Sequence, residues 1–197
     1  ALARLLAESG LPRPQTALVL SEDSGLQAVE AFGNCATLLP LAPGSPELPL
    51  QDREIAEAVL EHREILGHAT DAVSVIQAGI AKIGNRLVIT VVDGVAVAAS
   101  GLCPDCDRTE SLRLAAETAQ FLGARLLGVT IASINGRLVV WDVDPVPEFR
   151  DASPIGDQTV EEAIVALVQR VDQLAGMTVP TALHLAQIGG ADVVLSA

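Results

Sequence analysis

The chain has 197 residues, which is enough for one domain or two small lobes. Half of the residues are hydrophobic but only 2% are aromatic, so Ala, Val, Leu and Ile must build the core. Lys and Arg number 12 against 25 Asp and Glu, which gives a formal charge of -13 at pH 7. Such a charge repels phosphate backbones and anionic lipid heads, so the composition argues against nucleic-acid binding and against a membrane role.

The hydropathy and the cysteines indicate a cellular setting. No apolar run reaches the roughly 18 residues of a membrane-spanning helix. The three cysteines are an odd number spread along the chain, so we expect no disulfide framework and a reducing, cytoplasmic environment. For the Cys-x-x-Cys pair of Cys103 and Cys106 we expect free thiols in a loop. A zinc site or a redox dithiol is the alternative, although the sequence offers no second pair to complete the zinc ligands.

The first half of the chain alternates helices with strands. The first ten residues predict one or two helical turns before Gly10. Ser21 is a suitable N-cap and Gly33 a suitable stop for a second helix, although Gly25 weakens it. The other predicted elements are a strand at 16–20, a strand at 35–39, a proline-rich loop at 40–49, a helix at 51–66 with Ile55, Val59 and Leu66 on its inward face, and a strand at 73–77.

The second half of the chain contains two predicted hairpins. Asp93-Gly94 and Asn135-Gly136 supply the positive φ angles that tight hairpin turns need. The predicted elements are strands at 86–92 and 95–99, a helix at 109–122 with Leu112, Ala115, Ala116 and Ala119 inward, strands at 126–134 and 137–143, a helix from a Thr159–Glu162 capping box to Leu174, a short helix at 181–188 and a strand at 193–195.

This order of elements predicts an α+β protein made of two α/β lobes with a cleft between them. The lobes are expected to meet near residue 78. The first lobe would therefore cover residues 1–78 and the second residues 79–176, with a C-terminal extension at 177–197.

Several stretches, taken in order, resemble ATP-grasp ligases. Residues 5–16 carry a leucine, Gly10 and then Pro14-Gln15-Thr16, as the family's entry segment does. Residues 36–45 are similar to its strand and phosphate-covering loop, and residues 74–77 to its hinge strand. Residues 123–131 and 139–147 resemble its metal-binding hairpin. The resemblance covers roughly residues 2–176 and is nearest to the carboxylate–amine ligase branch that includes ribosomal-protein and pterin glutamate ligases.

The resemblance implies an activity and a set of cofactors. The family clamps ATP between two lobes, uses Mg²⁺ to form an acyl phosphate from a carboxylate, and lets an amine attack it. By this resemblance Gly44 and Ser45 of the loop and Gln77 of the hinge strand would contact ATP. Asp142 and Asp144, whose side chains point the same way on a strand, would hold the metal. The family also has an N-terminal α/β domain, so we expect the natural protein to be longer or a partner to supply that domain.

The sequence departs from the family at positions that carry charge. Leu39 stands where the family has a lysine, Val88 where it has an arginine, and Thr130 where it has a metal-binding acid. The family's covering loop has several glycines, whereas here only Gly44 remains and Pro43, Pro46 and Pro49 each remove an amide donor.

Two of the candidate site residues, Arg86 and Asp144, also have a purely structural interpretation. Arg86 is the catalytic candidate, since it could replace the missing arginine if it shares a face with Val88; otherwise it is a solvated strand-end arginine. Asp144 could equally start the turn into Pro145.

The sequence therefore predicts a catalytically degenerate relative of these ligases. We expect it to act as a partner or regulatory subunit, either in a homo-oligomer or with another chain. One alternative is an active ATP- and Mg-dependent ligase that forms an amide bond through an acyl phosphate. A second alternative is a module that binds some other small ligand in the cleft.

Overall fold

The computed structural model describes residues 8–40, 46–66, 73–81 and 83–176. Within these residues the chain forms two antiparallel sheets and four α-helices, which confirms the α+β fold class. Most of the first predicted helix, together with the helix at 181–188 and the strand at 193–195, falls outside the described residues.

The first sheet has four strands in the order β1-β4-β2-β3. Its strands are β1 Thr16–Val19, β2 Ala36–Leu39, β3 Leu48–Leu50 and β4 Ser74–Ala78. The proline-rich stretch at 40–49 was expected to be a loop, so the pairing of β3 at Leu48–Leu50 with β2 corrects the end of that prediction. Pro49 fits in this strand because β3 lies at the sheet edge, where one side of the backbone needs no hydrogen-bond partner.

Helices α1 Glu22–Ala31 and α2 Arg53–Leu66 pack on one face of the first sheet. Ser21 caps α1 as predicted, because its side chain accepts a hydrogen bond from the Ser24 amide. The inward face of α2 was predicted wrongly in part, since Ile55 is 40% exposed while Ala56 and Leu60 are buried. The reason is a close approach of the helices at Gly25, where an added Cβ would lie 2.6 Å from a Leu60 methyl group.

The second sheet has five strands in the order β8-β7-β5-β6-β9. Its strands are β5 Arg86–Val92, β6 Val95–Leu102, β7 Leu126–Ile134, β8 Arg137–Asp144 and β9 Ser153–Pro154. Both predicted hairpins are present. Their turns have positive φ at both central residues: 51° and 81° at Asp93-Gly94, and 51° and 74° at Asn135-Gly136.

Helices α3 Arg108–Leu122 and α4 Val160–Gly176 pack on opposite faces of this sheet. Alternation along β5 sends Ile89 and Val91 to α3 and Val92 to α4. The predicted inward face of α3 is confirmed at Ala115 and Ala119, but it missed the buried Leu114, and Leu112 is only half-buried. The Thr159–Glu162 capping box of α4 is confirmed by reciprocal hydrogen bonds.

The cysteine loop differs from the expectation of free thiols. Cys103 and Cys106 are joined by a disulfide, and their Cα atoms are 5.2 Å apart. A turn in which the Cys106 amide donates to the Cys103 carbonyl brings the two side chains together. Cys35 is free and exposed.

The segment that precedes β1 contacts the second sheet. Leu11 packs against the core of the second sheet, and the Val140 amide donates to the Pro12 carbonyl at 2.8 Å. The entry segment therefore contacts the second sheet before the chain enters the first, and the lobe limits at 78 and 176 stay predictions. Among the described residues, no helix combines the length and apolar character needed to cross a membrane.

Candidate functional site

The face of the first sheet opposite α1 and α2 carries two rows of cross-strand neighbours. Leu18, Val75 and Leu39 form one row, and Thr16, Gln77 and Thr37 form the other. Leu18 is 68% exposed. This sheet face is therefore apolar at the end with Leu18, Val75 and Leu39, and polar at the end with Thr16, Gln77 and Thr37.

The facing surface of the second sheet presents the candidate residues in register. Val88, Thr130 and Asp142 are cross-strand partners, and Arg86 lies one pleat further along β5. Because no irregularity separates Arg86 from Val88 in the pairing with β7, both side chains leave the same face. Arg86 therefore shares a face with Val88, which is the condition for it to replace the arginine that the family has at the Val88 position.

Arg86 is nevertheless held by this chain's own groups. Its Nη1 donates to Glu47 Oε1 at 3.1 Å, its Nη2 donates to Glu47 Oε2, and its Nε donates to the Ala81 carbonyl at 2.9 Å. The guanidinium also lies 5.0 Å from the centre of the Trp141 ring. The Arg86 side chain is 19% exposed, so it is not a solvated strand-end arginine.

Glu47 and Trp141 complete a network between the sheets, and sequence reasoning missed both. The Trp141 indole Nε1 donates to Glu47 Oε1 at 3.2 Å. Gln77 Nε2, in turn, donates to the Trp141 carbonyl at 3.4 Å. Two sequence signals could have pointed to these residues: Trp141 is the chain's single tryptophan, and Glu47 is the one acid in the proline-rich stretch at 40–49.

The two aspartates on β8 share a face, as period-two alternation requires. Asp142 pairs with Thr130 and Asp144 with Gly128. Desolvation raises the pKa of Asp142 above its ordinary value, and the charges of Glu47 and Asp144 raise it further. The Val143 amide and Arg86 oppose this rise in the Asp142 pKa.

Asp144 also serves the turn that follows β8. Its Oδ1 accepts a hydrogen bond from the Val146 amide at 2.8 Å, as the turn reading of Asp-Pro expects. Within the described parts of the chain, no group of three or more His, Cys, Asp or Glu side chains is placed to hold a metal ion. Asp142 and Asp144 are therefore a pair of oxygen donors with no third side chain of these types beside them among the described residues.

The other predicted contacts to ATP are placed as follows. Gly44 and Ser45 lie outside the described residues. Gln77 is buried, and its amide is already bonded to the second sheet. Beside it, a cavity of about 440 Å³ lies between Thr37 on β2 and Arg86 on β5.

This architecture has the fold of the solved ATP-grasp ligases that it is similar to. The RimK domain ATP-grasp protein from Sphaerobacter thermophilus DSM 20745 is similar over 89% of this chain and 62% of its own, with 22% identity and a TM-score of 0.59. The ATP-grasp ligase PsnB, in complex with the precursor peptide PsnA2 and AMPPNP, is similar over 76% of this chain and 49% of its own, with 19% identity and a TM-score of 0.60.

A third similar structure is the D-alanine–D-alanine ligase from Bacillus anthracis, with 12% identity and a TM-score of 0.61 over 89% of this chain and 68% of that chain. The chain thus spans about half to two-thirds of the length of these proteins. No protein-family model matches the sequence. The Bacillus ligase has also been solved with ATP, and PsnB with Mg and ADP.

The described residues of this chain do not fit a magnesium-bound triphosphate. A phosphate needs cationic or amide donors, and the guanidinium of Arg86 already binds a carboxylate. Leu39 lies in an apolar row at the place where the resemblance expects a lysine. Asp142 and Asp144 could supply two oxygen ligands to a hard cation, but in the part of the chain that the structure describes the candidate phosphate donor Arg86 is already paired with Glu47.

Proposed function

We propose that this chain is a catalytically degenerate relative of ATP-dependent carboxylate–amine ligases that acts as a partner or regulatory subunit. The observation that carries the proposal is the ion pair between Arg86 and Glu47. A phosphate could reach the guanidinium only by displacing the Glu47 carboxylate, which also accepts from Trp141. The displaced carboxylate would then stand beside the incoming anion, and like charges at such short range repel strongly.

The apolar row on the first sheet supports the same conclusion. Leu18, Val75 and Leu39 are neighbours across three strands, so no cationic side chain stands at the row's β2 position. Removing one positioned donor for a developing charge costs on the order of 10² to 10³ in rate. Val88 and Thr130 replace two further charged groups of the family pattern, so the proposed losses reach well beyond one contact.

Calorimetric titration with ATP and Mg²⁺ tests the proposal. We expect no binding heat at millimolar nucleotide for the unmodified chain. The double variant Glu47→Gln/Leu39→Lys should bind ATP with a Kd at least about tenfold below the millimolar limit set by the unmodified chain, because it frees the Arg86 cation and adds a lysine. Glu148→Gln is the matched control, since it neutralises an exposed acid that also pairs with an arginine. Micromolar binding by the unmodified chain that is lost in Arg86→Met would contradict the proposal.

An active ligase is the second candidate, and the arrangement of Asp142 and Asp144 favours it. Both carboxylates leave one face of β8, as two ligands of one cation would. The same titration separates the candidates. Micromolar ATP binding that requires Mg²⁺ and disappears in Asp142→Asn would favour the ligase, whereas heat that is absent with and without Mg²⁺ would exclude it.

Exposed apolar side chains on α4 support the role of a partner subunit. Val165, Val168 and Val171 recur every third residue and are 42–54% exposed, so they occupy one side of the helix. Size-exclusion chromatography with light scattering should show an oligomer that Val168→Glu converts to a monomer. A monomer at high concentration would remove the homo-oligomer version and leave only a partner of different sequence.

A further inference from the structure

The cavity between Thr37 on β2 and Arg86 on β5 has the size and lining of a small-molecule site. Its volume of about 440 Å³ falls within the range of roughly 300–1,000 Å³ typical of ligand pockets. Apolar groups of Pro46, Pro49, Ile80 and Ala81 form much of the wall. These residues come from the loop before β3, from β3 itself and from the segment after β4, and Arg86 on β5 adds a contribution from the second sheet.

Among the polar groups in the wall, Glu47 and Thr37 offer acceptor positions, and the exposed Gln51 amide can both donate and accept. Four hydrogen bonds from Arg86 already go to Glu47 and to the Ala81 carbonyl. The Thr37 hydroxyl spends its single proton on the Gly79 carbonyl at 2.8 Å. Glu47 accepts three hydrogen bonds, whereas a carboxylate offers about four acceptor positions, and the Thr37 oxygen also keeps acceptor capacity. A ligand that donates a hydrogen bond would therefore find a partner here.

The charge in the wall disfavours an anionic ligand. Among the described lining residues the charged side chains are Glu47 and Arg86, and they neutralise each other. The chain as a whole carries a formal charge of -13, and its field repels anions from the cleft.

The geometry points to an uncharged, mostly apolar ring compound with an N–H donor as the ligand of this cavity. The apolar wall takes the rings, and Glu47 or Thr37 accepts the N–H hydrogen bond. The inference rests on the proposed function in one respect, since both require Glu47 to stay paired with Arg86. It goes further by naming the chemical class that the cleft accepts in place of a nucleotide.

Two matched fluorescent probes test the charge and the chemistry together. N-phenyl-1-naphthylamine is a neutral aromatic amine, and 8-anilinonaphthalene-1-sulfonate has the same rings and N–H with an added sulfonate. The protein is titrated into a low, fixed concentration of each probe while energy transfer from Trp141 is followed. We expect the neutral probe to bind with Kd on the order of 100 µM, which suits a ligand of this size. The sulfonate should bind at least about tenfold more weakly.

Site-directed variants locate the bound probe. Ile80→Glu places a second negative charge in the wall and should weaken binding of the neutral probe at least about tenfold. The reason is that the apolar rings of the bound probe would have to displace water from this charge, which costs free energy. Pro49→Glu, at an exposed position of the same wall, provides a second test if Ile80→Glu does not fold. Val95→Glu is the control, since Val95 is 62% exposed and does not line the cavity.

The outcomes separate this inference from the proposed function. Preference for the neutral probe, lost in the wall variants and kept in Val95→Glu, supports the inference. Equal binding of both probes, no binding of the neutral probe, or binding that the wall variants leave unchanged overturns it while leaving the calorimetric result untouched. ATP binding by the unmodified chain would instead overturn the proposed function, whatever the probes show.

Discussion

The ion pair between Glu47 and Arg86 should contribute measurably to the stability of the fold. The two side chains are 28% and 19% exposed, so the pair lies between an exposed one and a fully buried one. Exposed pairs contribute about 0–1 kcal/mol, and breaking a fully buried pair costs about 3–5 kcal/mol. We therefore expect Glu47→Gln to lower the free energy of unfolding by about 2 kcal/mol. Arg86→Met should cost more, because it also removes the contact with the Trp141 ring and the bond to Ala81.

A double-mutant cycle measured by urea unfolding checks this magnitude. The double variant Glu47→Gln/Arg86→Met should lose about 1–2 kcal/mol less than the sum of the single losses, because the second substitution removes a charge that the first has already left unpaired. Trp141 fluorescence reports the transition, since its indole bonds to Glu47. Glu148→Gln should change stability by less than about 0.5 kcal/mol, because the Glu148–Arg150 pair is largely exposed. Losses that add to within about 0.3 kcal/mol would refute the coupling.

Three further outcomes follow from the structure. The pKa of Asp142 is raised in the folded state, so the ionised carboxylate lowers the stability of the fold above that pKa. This loss of stability disappears below the unfolded pKa of 3.8. In parallel urea titrations, Asp142→Asn should therefore stabilise the chain at pH 7 and not at pH 3. Gly101 has a φ of 84°, and an added Cβ would collide with the Arg86 carbonyl. Gly101→Ala should therefore lower the thermal midpoint of unfolding by more than about 5 °C. An unchanged midpoint would contradict this backbone conformation. The Cys103–Cys106 disulfide closes a loop with a sequence separation of 3, so its reduction should cost only about 2 kcal/mol of stability on the chain-entropy estimate, and cooperative unfolding should persist in reductant.

The elements that could be predicted from the sequence are those fixed by local chemistry. Asp93-Gly94 and Asn135-Gly136 demand positive φ whatever surrounds them, so both hairpins are correct to within a few residues. The Ser21 and Thr159 caps are equally local, because each side chain bonds to a backbone amide three residues ahead.

The elements that were predicted wrongly depend on packing with distant residues. On α3 the prediction missed the buried Leu114, and the predicted Leu112 packs only at the edge of the same core, because the strands beneath decide which part of an alanine-rich helix is covered. Likewise α2 turns Ala56 and Leu60 inward because Gly25 lets α1 approach closely there. A hydrophobic spacing in the sequence names a helix, but it does not choose between adjacent inward faces of similar hydrophobicity.

The candidate site shows the same limit. Alternation along β5 and β8 was enough to predict that Asp142 and Asp144 share a face and that Arg86 could share one with Val88. The contact that governs Arg86 comes from Glu47, 39 residues earlier in the chain, and no sequence period relates the two. A chain position matched to a family motif therefore locates the cation without saying whether that cation is available to a ligand.

Glu47 directly precedes β3 of the first sheet and Arg86 begins β5 of the second sheet, so their pair neutralises the cleft and also ties its two sides together. Any ligand that needs the guanidinium must displace the Glu47 carboxylate and leave Trp141 without its acceptor, which adds the cost of a lost hydrogen bond to the cost of repulsion. A ligand that fills the cavity and leaves the pair intact bears neither cost. On this reasoning, binding of the neutral probe should raise the free energy of unfolding and leave the Glu47–Arg86 coupling unchanged, whereas a triphosphate could bind only as that coupling is lost.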